Sequence, residues 1–210
     1  MRKKNDLNLL EKGYELPLVE SFYTLQGEGF HKGGAAFFIR IGGCNVGCHW
    51  CDVKESWNHE IHPSTDINKI VDQAIKYSKV VVVTGGEPLM WPMGPLTKKL
   101  NKVGISTHIE TSGAYPLSGN WDWFCLSPKK TKLPFKECYE SADELKVIIF
   151  NKSDFDFAES QLKKVSKECK LFLQPEWSAR EKVMPLMVDF VLKNTKWKIS
   201  LQTHKYLNIP

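Results

Sequence analysis

Apolar runs recur along the chain, separated by polar stretches that carry the residues of turns and helix starts. Residues 35–41 read Ala-Ala-Phe-Phe-Ile-Arg-Ile, apolar throughout but for one charge near the end, which predicts a buried strand. Four valines at 80–83 followed by Thr84 predict a second β-branched strand, stopped by Gly85 and Gly86. Between them Pro63, Ser64, Thr65 and Asp66 offer helix-start chemistry. Ile67, Ile70, Val71, Ala74 and Ile75 then fall on one face of a helix. Further strands are expected over 18–25, 105–110, 123–127, 144–150, 171–174 and 198–202, with helices over 95–103, 155–166 and 180–192. Residues 1–15 read as a polar lead-in.

Strand and helix alternate, and most of the strands read as apolar on both faces, which predicts a parallel sheet covered by helices. A complete eightfold barrel takes about 250 residues. A chain of 210 residues with some helices missing therefore predicts a single α/β domain, 1–210, built as a partial (β/α) barrel. In such folds chemistry gathers where strands end at their carboxyl edge. Here those ends carry Gly42, Gly43 and Cys44; then Gly85, Gly86, Glu87 and Pro88; then Glu110, Thr111, Ser112 and Gly113. Ser127, Pro128 and Lys129 follow, then Lys146 within its strand, Gln174, Pro175 and Glu176, and finally Gln202, Thr203 and His204.

Composition narrows the classes. A net charge of +5 comes almost wholly from scattered lysines, since Arg2, Arg40 and Arg180 are the only arginines. That pattern is a solvated surface rather than a nucleic-acid groove, and nucleic acid is not an expected partner. No apolar run approaches the roughly 18–20 residues that span a bilayer, and no secretory leader is evident, so a cytoplasmic protein with reduced thiols is expected. Of the six cysteines, Cys125, Cys138 and Cys169 share no ligand spacing and read as buried thiols.

The other three, Cys44, Cys48 and Cys51, stand in the order Cys-x3-Cys-x2-Cys in a glycine-containing loop directly after a strand. Three thiolates so close in sequence can grip one metal centre, and no fourth cysteine follows. Structural zinc sites usually fill four positions, whereas reactive centres leave one open. His49 lies where it cannot easily turn inward with both neighbours, and Asp52 would be a minor partner for zinc. An iron–sulfur cluster with one open iron is favoured over zinc, and a non-catalytic zinc module is the alternative.

Cys44, Cys48 and Cys51 at this spacing, Trp50 before the last of them, and the Gly-Gly-Glu-Pro run at 85–88 resemble the radical S-adenosylmethionine superfamily. The run Phe-Tyr-Thr-Leu-Gln-Gly-Glu-Gly at 22–29, Ser-Pro-Lys at 127–129, Gln-Pro at 174–175 and the closing Gln-Thr-His-Lys at 202–205 narrow the resemblance to the 7-carboxy-7-deazaguanine synthase family. It extends from about residue 18 to residue 210. It implies a 4Fe–4S cluster on the three thiolates, with the fourth iron chelating the amino and carboxyl groups of S-adenosylmethionine. One-electron reduction would then give a 5′-deoxyadenosyl radical that abstracts hydrogen from C6 of 6-carboxy-5,6,7,8-tetrahydropterin. Ring contraction, return of a hydrogen and elimination of ammonia would yield 7-carboxy-7-deazaguanine, a precursor of queuosine. A glycyl-radical activase is the nearest enzymatic alternative, and the Gln26 to Glu28 turn and the ending from Thr203 to Pro210 argue against it.

By the same resemblance Leu25, Gln26, Gly27, Thr84 and Pro210 would line the substrate site, and Arg40 would pair with the substrate carboxylate, against the plainer reading of a surface arginine. Trp50, Cys51, Asp52, Gly86, Ser127, Pro128, Lys129, Gln174, Pro175, Glu176 and Trp177 would contact S-adenosylmethionine. Glu110 through Gly113 face the same space, although a structural cap accounts for them nearly as well, and His204 reads more simply as structure. The family's threonine after Cys-Asp, which helps to hold Mg2+, is Val53 here. Asp52 would still hold Mg2+, with water or a backbone carbonyl replacing the hydroxyl, and Lys54 is a candidate source of positive charge. The resemblance also implies a homodimer, and the positive surface suits an acidic flavodoxin or ferredoxin as electron donor.

Overall fold

The strands join in one nine-stranded sheet. The computed structural model describes the backbone from residue 4 onward and side chains from residue 8. The strands are β1 (Glu15–Leu25), β2 (Ala35–Ile41), β3 (Ser64–Asp66), β4 (Val80–Gly85), β5 (Ser106–Thr111), β6 (Trp123–Leu126), β7 (Glu144–Ile149), β8 (Lys170–Pro175) and β9 (Trp197–Ile199). The helices are α1 (Lys4–Glu11), α2 (Ile67–Tyr77), α3 (Gly94–Lys102), α4 (Lys136–Glu140), α5 (Ser153–Leu162), α6 (Arg180–Lys193) and α7 (Thr203–Leu207). The sheet order is β3-β1-β2-β4-β5-β6-β7-β8-β9, so its two edges do not pair with each other. The expected partial barrel is therefore present and open.

From β2 to β9 every pairing is parallel. β1 is the exception: it runs antiparallel to β2 with Glu20 opposite Arg40, and antiparallel to the short β3. A loop of nine residues between β1 and β2 is too short for a crossover helix, so a hairpin is the accessible connection.

One face of the sheet meets the helices. Ile39, Ile41, Val81 and Val83 pack with Ile67, Ile70, Leu96 and Leu100 in one core. Ile109, Phe124, Leu145, Val147 and Leu173 pack with Phe155, Val183 and Met187 in another. The inward face differs from the expectation of strands apolar on both sides. It carries Phe38 and Arg40, Thr84, Glu110, Lys146 and Gln174, alternating with those core residues as the pleat requires. Asp66 caps α2, its carboxylate accepting the Asn68 N–H at 2.7 Å.

Two expectations need correction. Within the polar lead-in, residues 1–3 lie outside the described residues, but α1 and the start of β1 occupy most of the rest. Leu10 is 2% exposed, so this segment is anchored by one buried side chain. The strand expected over 198–202 is shorter: β9 ends at Ile199, and Thr203 begins α7, which returns to the mouth of the barrel.

Candidate functional site

The carboxyl ends of the strands surround one cavity of about 290 Å³. Cys44, Cys48 and Cys51 line it, each half-buried and free of disulfide. Their loop is pinned from several sides. Gly43 N–H donates to Ser56 O at 2.6 Å, Cys44 N–H to Trp57 O at 3.1 Å, and Thr131 Oγ1 to Val46 O at 2.8 Å. Gly43 has φ +106°, a conformation open to glycine. The Gly85 and Gly86 turn closes on the same loop: Gly86 N–H donates to Ile41 O and Glu87 N–H to Gly43 O, both at 2.8 Å. A Cβ on Gly86 would sit 2.4 Å from Gly43 O, so only glycine brings the turn this near the cysteines.

Glu87 is buried and anchors the turn. Its carboxylate accepts from Leu89 N–H at 3.0 Å, Thr111 Oγ at 2.5 Å, Ser112 N–H at 2.9 Å and the Ser112 hydroxyl. Thr111 and Ser112 therefore act as structural ties, whereas Glu110 points into the cavity.

The cysteine donors fit an iron–sulfur cluster. Burial raises the Cys44 and Cys48 thiols above their usual range, and the neighbouring acidic groups push Cys44 the same way. Thiolates crowded together in such a setting require a cationic centre, and soft sulfur ligands select iron–sulfur chemistry or zinc. Lys129, half-buried near Cys48, donates to Ser127 O at 2.8 Å and Oγ at 2.5 Å, and its ammonium lies 5.3 Å from the Trp50 ring centre. Burial lowers its pKa, which the charge of Cys48 counters.

The sequence-derived residues converge closely. Leu25, Gln26, Gly27, Arg40, Trp50, Asp52, Thr84, Gly86, Ser127, Gln174, Pro175, Glu176, Trp177 and Pro210 all line the cavity; Pro128 does not. His204, read as plain structure, lines it too. A Cβ on Gly27 would lie 2.2 Å from His204 Nδ1, so the glycine makes room for the ring. Thr203 holds α7 there, its N–H and Oγ1 donating to Gly27 O at 2.9 and 2.8 Å. Glu176 spends its carboxylate on Ser178 and the Ala179 N–H, which leaves main-chain and ring contacts for this corner. Arg40 faces the cavity with its Nε 2.7 Å from Glu20, so its guanidinium keeps its remaining N–H groups for a ligand.

Glu110 and Lys146 do meet at the rim the strand ends predict, but the sequence did not show that they form a buried charge cluster with Glu28. Lys146 Nζ lies 2.5 Å from Glu28 and 3.3 Å from Glu110, and Gln202 Nε2 donates to Glu28 at 2.8 Å. Gln26 Nε2 donates to Glu110 at 2.9 Å. Burial pushes the Glu28 carboxyl up, but the Lys146 charge and hydrogen bonds from Lys146, Gln202 and Gln174 outweigh it and hold it at about 2. Lys146 is held well above the ordinary lysine range: its burial is outweighed by Glu110 and Glu28. The only signal in sequence was a lysine inside an otherwise apolar strand.

The Radical SAM superfamily pattern matches residues 38–125. The chain is 65% identical over 201 residues to the 7-carboxy-7-deazaguanine synthase of Flavobacterium psychrophilum, covering 96% of both. It is 49% identical over 194 residues to that of Synechocystis sp., covering 92% of this chain and 93% of the relative. The chain belongs to the 7-carboxy-7-deazaguanine synthase family. The crystal structure of QueE from Escherichia coli superposes with a TM-score of 0.79 at 28% identity, covering 95% of this chain and 99% of that one. Membership of this synthase family brings with it the 4Fe–4S cluster and S-adenosylmethionine, and the three cysteines are the soft donor set such a cluster takes.

Mg2+ fits less well. Val53 offers no oxygen, and Asp52 is 2.9 Å from Lys205 Nζ. Lys54, considered as a source of charge, does not line the cavity; Lys205, brought in by α7, takes that place beside Asp52. Val53→Thr combined with Lys205→Met is expected to increase activation by Mg2+ several-fold, read as turnover and as Mg2+ binding by calorimetry; an unchanged response in both would remove this corner from the metal's site.

Proposed function

We infer that this chain converts 6-carboxy-5,6,7,8-tetrahydropterin to 7-carboxy-7-deazaguanine and ammonia. The observation that carries the reading is that one cavity is lined at once by the three cysteines, the Gly86 turn, Arg40 and the Glu28–Lys146–Glu110 cluster. Cys44, Cys48 and Cys51 would hold the cluster. Gly86, Trp50, Ser127, Lys129, Gln174 and Trp177 would hold S-adenosylmethionine. The cluster and S-adenosylmethionine supply one-electron cleavage and a hydrogen-abstracting radical.

The protein's own residues position the pterin. Arg40 offers a planar cationic fork to the substrate carboxylate. Glu110, Glu28 and Gln26 offer acceptors and an amide to the ring's N–H groups, and Lys146 keeps the Glu28 carboxylate ionised. α7 and Leu25 wall the mouth, which limits water at the reacting carbon. The donor would be a small acidic redox protein. A homodimer and a cytoplasmic setting accord with the family and with six free cysteines, and no helix among the described residues is long and apolar enough to cross a membrane.

Arg40→Ala is expected to raise KM for the carboxypterin by roughly tenfold to a hundredfold, the worth of a charge-assisted hydrogen bond, with cluster content unchanged. An unaltered KM would remove Arg40 from the substrate. The function is tested by anaerobic incubation with reductant, S-adenosylmethionine and the carboxypterin. Deazaguanine and ammonia in equal amounts are expected; 5′-deoxyadenosine without deazaguanine would reject the synthase reading and leave the superfamily chemistry standing.

A further inference from the structure

Beyond the reaction chamber, toward the amino-terminal ends of the strands, lies a second cavity of about 10 Å³. That is the room one water molecule needs. Gln26, Glu28 and Glu110 line both cavities, so the two share a wall; His31, His108 and Glu144 line the smaller one alone. Two polar atoms of these residues, His31 Nε2 and Glu144 Oε1, are buried without a protein hydrogen-bond partner. Buried polar atoms in native proteins are nearly always paired with protein or with ordered water.

The surroundings make this a built site. Glu144 is 3% exposed, and its other oxygen is already taken, accepting the Phe30 N–H at 3.1 Å and the Trp123 Nε1–H at 3.3 Å. The His31 ring is clamped against Trp123 at 4.4 Å and against His108 at 4.7 Å between centroids. The His31 residue is partly exposed while its Nε2 is buried, so it stands between the cavity and the surface.

We propose that this cavity holds one water molecule bound between His31 Nε2 and Glu144 Oε1, and that His31, this water and Glu144 carry protons between solvent and Glu110, which lines both cavities and hands them to the reaction chamber. The proton's use rests on the synthase reading; the water site does not. Eliminating ammonia moves one proton from carbon to the departing nitrogen as the C–N pair leaves with it, and ammonia released near neutral pH takes a second from solvent. The chamber's own ion pair is poorly suited to supply either: Glu28 is held at about 2 and Lys146 well above its ordinary value.

The groups behind it lie between those extremes. Burial raises the Glu144 carboxyl, against the pull of Lys146 and the Phe30 N–H, with Glu110 adding to the rise. Burial lowers His31, with Asp143 opposing, and takes His108 down to about 4 with help from His31 and against Asp122. A neutral imidazole accepts a proton at one nitrogen and releases it from the other, which is what a relay requires.

A high-resolution crystal structure of the wild-type protein should show one ordered water within hydrogen-bonding distance of both atoms; an empty, dry cavity would overturn the site. His31→Phe keeps the ring volume and removes the nitrogens. It should lower kcat for deazaguanine formation by about tenfold or more with KM unchanged; His31→Ala, which opens space for a ring, should lose rate likewise and recover part of it with added imidazole. Glu144→Gln should move the pH profile of kcat. Unchanged kcat in His31→Phe with an unchanged pH profile in Glu144→Gln, or a His31→Ala loss that imidazole does not rescue, would overturn the proton role. Wild-type protein that makes no deazaguanine would instead overturn the synthase reading while the crystallographic test of the water stands.

Discussion

Cys48→Ala is expected to give a folded protein that no longer keeps a 4Fe–4S cluster and makes no deazaguanine. Cys48 lies in the middle of the three-cysteine loop, half-buried at the cavity wall. Two thiolates and a methyl group cannot hold a cluster that needs three protein ligands and one open iron. The loop's backbone ties to Ser56, Trp57 and Thr131 do not involve the Cys48 side chain, so stability should change by less than about 1 kcal/mol. Iron and sulfide content after anaerobic reconstitution, together with the broad brown absorbance near ~400 nm, reads the outcome. Full iron content in the variant would show that another side chain takes the third position.

Lys146→Met is the second large effect. The lysine side chain is 4% exposed and Glu28 14% exposed, so removing the ammonium leaves buried carboxylates without their countercharge. Breaking a buried pair from one side typically costs about 3–5 kcal/mol. The pH dependence gives the sign. In the wild type, Glu28 has a folded pKa of about 2 against an ordinary value of 4.5, so its stabilisation is present above 4.5 and is lost as pH falls toward 2. Lys146 is raised, so its contribution is present below the ordinary lysine value of 10.5 and is lost as pH rises through its higher folded value. In the variant, burial is opposed only by the Gln202 and Gln174 hydrogen bonds, so the Glu28 carboxyl rises from about 2. Denaturant unfolding should then show the variant's deficit shrinking as pH is lowered from neutrality through 4.5, where the wild type begins to lose stability. A deficit that stays constant with pH would place the cost in packing rather than charge.

How much of this was legible in the sequence follows from how local each feature is. The cysteine loop and the Gly85 and Gly86 turn are contiguous motifs after apolar runs, and the parallel fold places strand ends together, so their meeting could be anticipated. Arg40 could be placed in the cavity from its strand, but its neighbour Glu20 follows from the β1–β2 hairpin register, which no local pattern sets. The Lys146 cluster was hidden because Glu28, Glu110 and Lys146 come from three distant segments and only the sheet order brings them to one side. Asp52 lines the cavity, yet the positive charge beside it comes from Lys205 on α7 and not from adjacent Lys54, since α7 begins just past the residues read as the last strand and its return to the barrel mouth is no local pattern. α1 was missed because eight residues with few apolar positions carry little periodicity, and the burial of Leu10 is a tertiary event.

On the proposed reading, the cavity sets the C6 hydrogen of a carboxypterin within reach of the S-adenosylmethionine radical. Turnover of substrate deuterated at C6, with reductant under strict anaerobiosis, measures this most directly. Deuterium should appear in the 5′-methyl group of 5′-deoxyadenosine while 7-carboxy-7-deazaguanine forms. Deazaguanine formed with no deuterium in the nucleoside would contradict the claim.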